Sequence, residues 1–430
     1  MSTALLPNAN SAPAKATPDW FEKLQAEAAS THGSTPAPSP REERWRFANV
    51  KAVDFSAFVP ATPVAADVSD DLVARSQGLP CAGGALVFGN DRLLKSTVSA
   101  EATSKDAVFL PLADALRKHG ELIRSYFMRE TSSLGAPKFA VLHKSLMRNG
   151  TFLYVPKNVK LELPLQAFHW LEGTHQAVFP HTLIIAEEGS EVTLVDWFRS
   201  ADNARSMACG FSDIWLGKGA EVRYVAVQDW NRDTTSIQSC NTFVSSQASA
   251  KTLGLHFGGN YSRTEGLTRL TGTGARSEML GLTVADRTQE FDQRTLQEHQ
   301  SPDTFSDLLF KNALYDKAKT IFAGLIRVDP NAHRTDAYQK VRNLLLSDQA
   351  ESNSLPGLEI LADQVRCSHG ATTGEIEPEE LFYLNSRGIP KKDSLRLITH
   401  GFLNEILDKL PDAQMRSHFQ TLLTSRLLGH

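Results

Sequence analysis

The 430-residue sequence predicts a mainly β protein in which a β-helix core is flanked by helical regions at both ends. Three observations support this fold class. Helical spacing of apolar residues gives way at Thr151 to short alternating runs, which continue for more than 200 residues. A turn with a small residue recurs throughout this alternating region. Helical spacing then returns after residue 373.

The first 40 residues are predicted to be a disordered tail with a short helix and a linker. Residues 1–17 are rich in Ala, Pro, Ser and Asn, a composition that buries too little apolar surface to fold. An amphipathic helix is expected from Asp19 to about Ala29. The linker that follows is rich in Ser, Thr, Gly and Pro.

Residues 41–150 are predicted to be a mostly helical region. Apolar residues recur at helical spacing after Pro111, which indicates one helix there. A further helix is expected from Pro137 to Arg148, because Asn149-Gly150 is a strong stop signal directly after it.

The β-helix prediction for residues 151–373 depends on a degenerate repeat. A turn that carries a small residue precedes each new strand, and the spacing of these turns is typical of a solenoid. A large β-sandwich also contains short strands and turns, but the repeat favours the β-helix. The small residues are Ser190, Ala220, Ala250, Ala275, Ala318 and Ala350, at steps of 30, 30, 25, 43 and 32 residues.

Residues 374–430 are predicted to form a C-terminal helical domain of three amphipathic helices. The first begins near Glu377-Pro378, where proline and acidic residues suit a helix N-terminus, and it ends before Gly388. The second runs from Asp393 to about Leu410, and Asp412 caps the third. Three such helices bury too little surface alone, so we expect them to pack on the solenoid or on a partner.

Composition and charge argue against several classes of function. The net charge of −4 argues against a dedicated nucleic-acid binder. No apolar run approaches the ~20 residues that span a bilayer, and the N-terminus does not have the segments of a secretory signal. The four cysteines form no CxxC pair, so a disulfide framework is not expected. We expect a cytoplasmic protein that contacts neither nucleic acid nor membrane.

A thiol and an imidazole two residues apart, Cys367 and His369, are the main candidates for chemistry. In a strand, residues i and i+2 point to the same face, so these side chains would emerge side by side. Two such donors are half of a metal site, because zinc and iron–sulfur sites need about four. The alternative is a cysteine packed in the core beside a hydrogen-bonded histidine. A solenoid interior is not expected to accept an imidazole, and Gly370 would let another backbone approach, but the pattern leaves both interpretations open.

Other polar clusters support weaker hypotheses. Asp286, Glu290 and Asp292 could supply the carboxylate pair of a glycoside hydrolase, but such β-helix enzymes are secreted and this chain has no secretory signal. The segment from His333 to Asp336 indicates a solvated turn, since no activated nucleophile is evident nearby. The glycine pairs are not followed by the Lys-Ser/Thr of a phosphate-binding loop, so the chain is not expected to hydrolyse ATP by itself.

Long ordered motifs occupy the C-terminal third of the chain. They are VRNLLLS at 341–347, PGLEILADQVRCSHGAT at 356–372, LFYLNSRGI at 381–389 and GF at 401–402. Weaker matches are GTFLYVP at 150–156 and ERWR at 43–46. Two residues after the second of these, Ala48 occupies a position often held by Thr. Together these motifs resemble the SufB/SufD family of the SUF iron–sulfur system, and within it the SufD branch.

The resemblance implies a right-handed parallel β-helix that acts as a non-catalytic scaffold for iron–sulfur cluster assembly. It implies pairing with the sister subunit SufB through the β-helix, docking of the ATPase SufC on the C-terminal helices, and a possible homodimer when the chain is isolated. It implies no permanently bound cofactor but a transient Fe–S cluster at the SufB interface. His369 would be a ligand of that cluster and Cys367 its companion. The partner-binding residues would be Phe382, Tyr383, Arg387, Gly388 and Phe402.

A SufB-like scaffold is the nearest alternative, and a stand-alone β-helix enzyme is a more distant one. The matching SufB motif carries a Glu ahead of its Ala-Thr pair, where this chain has His369-Gly370. SufB also carries a cysteine on a nearby upstream strand, whereas residues 342–350 contain none here. Both departures favour the SufD branch.

Overall fold

The computed structural model describes residues 17–130, 134–201 and 203–429, so the predicted disorder of residues 1–17 lies almost entirely outside the described residues. None of the helices in the described part of the chain combines the length and apolar character needed to cross a bilayer. The helices are α1 (Asp19–His32), α2 (Ala66–Arg75), α3 (Ala100–Ser104), α4 (Leu112–Arg124), α5 (Pro137–Leu146), α6 (Pro378–Ser386), α7 (Lys391–Leu407) and α8 (Ala413–Leu427).

The strands form two large sheets, named sheet A and sheet B. Sheet A contains β1 (Val59–Pro60), β4 (Val108–Pro111), β5 (Gly150–Val155), β7 (Gln176–Val178), β8 (His181–Ala186), β10 (Ser206–Leu216), β12 (Thr234–Val244), β14 (Tyr261–Leu270), β16 (Glu290–His299), β18 (Lys319–Val328) and β20 (Glu351–Ile360). Sheet B contains β2 (Gly84–Gly89), β3 (Arg92–Val98), β6 (Leu165–Leu171), β9 (Glu191–Ser200), β11 (Glu221–Asp229), β13 (Ser249–His256), β15 (Arg276–Ala285), β17 (Phe305–Leu314), β19 (Asp336–Leu345) and β21 (Arg366–Glu375).

From β8 to β21 the chain alternates between the two sheets, so that each turn of the chain adds one strand to each sheet. The strands added in this way are parallel to their neighbours, as β10 is to β12 in sheet A and β11 is to β13 in sheet B. The result is a β-solenoid of about eight turns with helices at both ends. The predicted mainly β fold with a parallel β-helix core is therefore confirmed.

The turns that lead into sheet B stack on one another along one edge of the solenoid. The backbone N–H of Glu221 donates to the carbonyl of Ser190, and that of Arg276 donates to the carbonyl of Ala248. The residues stacked along this edge are Ser190, Ala220, Ala248, Ala275 and Thr304, at nearly even steps of 30, 28, 27 and 29 residues.

The predicted repeat was wrong in two places. Ala250 lies inside strand β13 rather than in the turn before it. Ala318 and Ala350 precede β18 and β20 and therefore lie on the opposite edge, which leads into sheet A. The uneven step of 43 residues arose because the alignment joined two different edges of the solenoid.

The beginning of the solenoid is closed by antiparallel strands and covered by helices. β3 pairs antiparallel with β2, and β4 pairs antiparallel with β5. Residues of α4 and α5 pack with those of β5, β8 and β10 in one buried cluster, which includes Phe139, Phe152 and Phe211. All six residues of β5 and of β8 are buried as a result.

The C-terminal helices follow the last strand. The three predicted helices are confirmed, and the Asp412 side chain caps α8 by accepting a hydrogen bond from the Met415 N–H at 2.7 Å. Apolar residues of α7 and α8, among them Leu403 and Phe419, are buried against sheet B residues such as Leu255 and Leu282. These two helices therefore pack on the outer face of sheet B.

The interior of the solenoid contains imidazoles, so the expectation that it would exclude them was wrong. His256 and His299 are both buried. Burial lowers the pKa of His256 to about 4 and that of His299 to about 3, so both rings are neutral near pH 7. The His299 ring nitrogens lie 2.8 Å from Thr304 Oγ1 and 2.9 Å from Ser306 Oγ. A neutral imidazole with hydroxyl partners is compatible with the core.

Candidate functional site

Cys367 and His369 lie on β21, the last strand of the solenoid. β21 has β19 on one side and forms the end of sheet B on the other. Cys367 is in register with Ala337 and His369 with Gln339. Ala337 is buried in one cluster with Ile326 and Val328 of sheet A, so it faces the interior, and Gln339, Cys367 and His369 share that face. The predicted side-by-side arrangement on one face is confirmed.

The two side chains differ in burial. Cys367 is half-buried against a small apolar cluster that includes Ala337 and Val365. Burial, with the nearby Asp336 carboxylate, raises the pKa of the Cys367 thiol. The thiol form is therefore favoured at neutral pH, and a metal or a cation would be needed to obtain the thiolate. His369 is exposed.

Gln339 is a residue of this site that the sequence did not single out. It is fully buried, its Nε2 donates to the Gly324 carbonyl at 3.4 Å, and its Oε1 has no hydrogen-bond partner among the described residues. It lies one strand spacing from His369, at the same register position. The sequence feature that could have identified Gln339 is a polar residue at an inward-facing position of β19, the strand next to β21.

The final rung, formed by β20 and β21, is open. Nine of the ten residues of β21 are exposed, and Leu358 near the end of β20 and Leu361 directly after it expose 37% and 49% of their surface. Space is open around the position that a Cβ would take on Gly370. Two adjacent strand edges with unpaired backbone groups are a template for pairing with another chain.

Cys367 and His369 do not form a complete metal centre within this chain. Among the described residues there is no cluster of three or more His, Cys, Asp and Glu side chains that could hold a metal ion. The final rung thus offers one imidazole and one protonated thiol at an open edge. Further ligands would have to come from outside the described part of the chain.

Helix α6 begins three residues after β21 ends, which ties it closely to the candidate site. None of its residues is buried, and Phe382 and Tyr383 expose 74% and 57% of their surface. The Arg387 guanidinium lies 5.3 Å from the centroid of the Tyr383 ring. Gly388 ends the helix with a positive φ of 85°, a conformation that glycine adopts readily. An exposed pair of aromatic rings on a short helix is typical of a binding surface.

Phe402 lies on α7 and faces the solenoid. Its ring is partly buried, with Lys311 Nζ 4.4 Å from the ring centroid. The same Nζ donates to the Phe402 carbonyl at 2.7 Å and is paired with Glu405. The structure therefore places Phe402 at the junction between α7 and β17 and does not bring it together with Phe382 and Tyr383.

The three carboxylates considered for glycoside chemistry have other partners. Asp292 is buried between Arg263 and Arg294, whose guanidinium nitrogens both lie 2.5 Å from its oxygens. Glu290 accepts the Asn49 N–H at 2.7 Å, and Asp286 pairs with Arg232 at 2.7 Å. These contacts are those of a structural network and not of an open catalytic pair.

Two family matches divide the chain between them. Residues 169–402, more than half of the chain, match the family described as SUF system FeS cluster assembly, SufBD core domain. Residues 4–167 match the SufBD protein N-terminal region. The matches include the N-terminal cover, which is the set of helices and strands that precede β5, together with the solenoid, α6 and most of α7.

Curated relatives carry related descriptions. The iron–sulfur cluster assembly protein SufD of Bacillus subtilis is 29% identical over 411 residues, which are 92% of this chain and 91% of that protein. An iron–sulfur cluster assembly SufBD family protein of Staphylococcus epidermidis is 29% identical over 312 residues, covering 72% of this chain and 67% of its own length. A protein of the same description from Staphylococcus aureus is 28% identical over the same shares.

Proposed function

This chain belongs to the SufB/SufD family of the SUF iron–sulfur cluster assembly system, and we propose that it is the SufD-type scaffold subunit of a SufB–SufC–SufD complex. The observation that carries the proposal is the final rung. Cys367 and His369 lie on one face of the open last strand, and that strand leads within three residues into the exposed helix α6.

The open edges of β20 and β21 would pair with the β-helix of SufB. An edge strand binds another strand through its backbone hydrogen bonds, and the exposed Leu358 and Leu361 would be covered in the same step. The missing metal ligands would then come from SufB. The Fe–S cluster is the cargo of this interface and leaves it when assembly is complete.

His369 would be a direct ligand of the nascent cluster, since its imidazole is exposed at the rung. Cys367 would be a second donor. Its half-buried thiol must lose a proton to bind metal, so its contribution depends on the metal arriving first. Gln339 beneath the imidazole offers a buried oxygen that could accept a hydrogen bond from a His369 ring N–H and orient the ring.

The exposed face of α6, with Phe382, Tyr383 and Arg387, would dock the ATPase SufC. Movement of SufC on ATP binding would then act on α6 and, through the two-residue connection, on the strand that carries His369. In this mechanism the scaffold performs no catalysis itself. It converts movement of the ATPase into opening of the cluster interface.

The test is cluster assembly on a reconstituted complex of this chain with SufB and SufC. We expect His369→Ala to reduce cluster-bound iron by about tenfold or more, as loss of a metal-site residue usually does. The control is Ser368→Ala, which changes the neighbouring residue on the opposite face of β21 and should retain wild-type iron content. Wild-type cluster content in the His369→Ala complex, with all subunits still associated, would contradict the ligand role.

A second candidate function is a platform that only orients SufB and SufC, and the exposed aromatic pair of α6 favours it. Under this hypothesis His369→Ala is silent, whereas Phe382→Ala/Tyr383→Ala on α6 abolishes both SufC binding and cluster assembly. A stand-alone enzyme would instead require turnover by the isolated chain, without SufC. The same set of variants therefore separates the three hypotheses.

A further inference from the structure

The outer face of sheet A carries a ladder of alternating charge that ends at the open edge. Glu290 on β16, Lys319 on β18 and Glu351 on β20 occupy the same register position on successive strands. Lys319 Nζ lies 3.6 Å from Glu351 Oε1. Opposite charges directly across neighbouring strands stabilise a sheet, and like charges destabilise it. The sequence of signs along this ladder is negative, positive, negative.

A second ladder runs beside the first, nearer the other end of the same strands. Arg269, Glu298, Arg327 and Glu359 follow one another in register from β14 to β20. Arg269 Nε lies 2.5 Å from Glu298 Oε2, and Arg327 Nη1 lies 3.7 Å from Glu298 Oε1. Here the signs are positive, negative, positive, negative. The last member is again a glutamate on β20.

Both ladders therefore stop at an acidic residue on the strand that ends sheet A. Glu351 and Glu359 are exposed, and their even spacing places them on the same face of β20. The outward positions between them are Asn353, Leu355 and Gly357. The outer face of this edge is thus uncharged between its two carboxylates, and the Asn353 amide donates to Glu351 at 2.6 Å.

We propose that the partner which extends sheet A at β20 presents a strand with one basic residue opposite Glu351, another opposite Glu359, and uncharged residues between them. This rests on the proposed function and specifies the chemistry of the subunit interface. The partner strand continues both ladders with the sign that each one requires. It also covers Leu355, which the open edge leaves partly exposed.

The same two glutamates discriminate against a second copy of this chain. If β20 paired antiparallel with β20 of another copy, centred on Leu355, Glu351 of each copy would lie opposite Glu359 of the other. Two like-charge pairs would then form at one interface, at the ends of a strand pair that otherwise fits. The edge thereby favours a basic partner over itself.

The first experiment measures binding of this chain to SufB of the same organism. We expect Glu351→Lys/Glu359→Lys to weaken binding by at least about tenfold, because two attractive pairs become repulsive. The affinity of the neutral variant Glu351→Gln/Glu359→Gln for SufB should lie between those of the wild type and the double lysine variant, and it should depend less on salt than that of the wild type. The matched control is Glu221→Lys, also an exposed glutamate at the start of a strand but on β11, far from the open edge; it should bind as the wild type does.

Unchanged SufB affinity in the Glu351→Lys/Glu359→Lys variant would overturn the inference while leaving the proposed pairing intact. Failure of the wild-type chain to bind SufB would instead overturn the proposed function. A second experiment, which needs no SufB, tests whether the two glutamates of β20 oppose self-association of this chain. Native mass spectrometry of wild type mixed with the double lysine variant should show a one-to-one dimer at concentrations where each alone is monomeric. Self-association of the wild type as strong as in the mixture would refute the discrimination.

Discussion

The two ends of the solenoid are built differently. At its start, β5 and β8 are buried along their whole length, and the antiparallel strands β3 and β4 close the two sheets. At its end, β20 and β21 have no further strand beyond them in the described part of the chain, and β21 is almost entirely exposed. The first strands of the solenoid are therefore covered, whereas the edges of its last strands are open to solvent.

The exposed strand at the start shows how an edge is protected. β3 carries Arg92 and Lys95, and its register with β2 shifts between Val87 and Phe88; charged side chains and such irregularities oppose pairing with another chain. The terminal strands are ten residues long, parallel to their neighbours and in regular register. An edge without such protection invites pairing with another chain, which is why the proposed partner binding is placed at the end of the solenoid and not at its start.

Removing one buried charge beneath the N-terminal cover should have the largest effect. Arg263 is fully buried, with Nη1 2.5 Å from Asp292, Nη2 3.0 Å from the Leu134 carbonyl, and its guanidinium 3.7 Å from the Trp45 ring centroid. Arg263→Met leaves buried carboxylates short of one partner, so we expect the free energy of unfolding in urea to fall by about 3–5 kcal/mol.

The control for this prediction is an ion pair in solvent. Arg334→Ala breaks the exposed pair with Asp303 and should leave the urea midpoint unchanged. A wild-type midpoint for Arg263→Met would show that the buried network does not hold the N-terminal cover onto sheet A. The contrast between a covered and an open region would then lose its energetic basis.

The neutral histidine in the middle of the solenoid should make stability depend on pH. Burial lowers the pKa of His256 to about 4, below its value of about 6.5 in the unfolded chain. Between these two pH values the unfolded state therefore binds more protons than the folded state. Protonation of His256 thus does not reduce the free energy of unfolding above pH 6.5, but reduces it progressively as the pH drops toward 4. For this residue alone we expect a loss of about 2 kcal/mol between pH 7 and pH 5.

The measurement is the difference in pH slope between the wild type and His256→Asn, taken from urea titrations at both pH values. Thr252→Ser is the matched control, because Thr252 lines the same internal cavity and carries no titratable group. It should keep the wild-type slope, whereas His256→Asn should flatten it. Equal slopes for the two variants would mean that His256 is not held neutral in the core.

The sequence predicted the fold class because strands and turns leave a local signal. Alternation with period two placed Cys367 and His369 on one face, and the structure has them there. The assignment of turns to edges failed, since Ala275 and Ala318 carry the same local signal on opposite edges of the solenoid. Only the pairing of strands about 30 residues apart distinguishes the two edges.

Burial and charge pairing could not be predicted from the sequence either, because they also depend on which distant strands are neighbours. Asp292 looked like a candidate catalytic carboxylate, yet Arg263, 29 residues away, neutralises it from the neighbouring strand. The charge ladders that end at Glu351 and Glu359 cannot be recognised until the register is known. The half-burial of Cys367 depends on its strand being the last one, which no local pattern specifies.

The smallest expected effect concerns Asn343, which connects the open rung to the rest of the core. Its Nδ2 lies 3.2 Å from Ser354 Oγ on β20 and 3.3 Å from the Thr372 carbonyl on β21, while its Oδ1 accepts from Asn312 at 2.8 Å. One buried amide thus ties both terminal strands to β17. Asn343→Ala should destabilise this rung by about 1 kcal/mol, since each of these hydrogen bonds makes only a modest net contribution.

Hydrogen exchange would locate that effect, because local opening is reported strand by strand. We expect faster exchange at amides of β20 and β21 and wild-type exchange at those of β8 and β10. Asn353→Ala is the control, since this side chain points outward on β20 and donates only to Glu351 of the same strand, at 2.6 Å. An increase in exchange spread evenly over the solenoid would show that its last strands do not open independently of its first strands. A change confined to the last rung would show that the proposed binding surface can open locally while the rest of the solenoid stays folded.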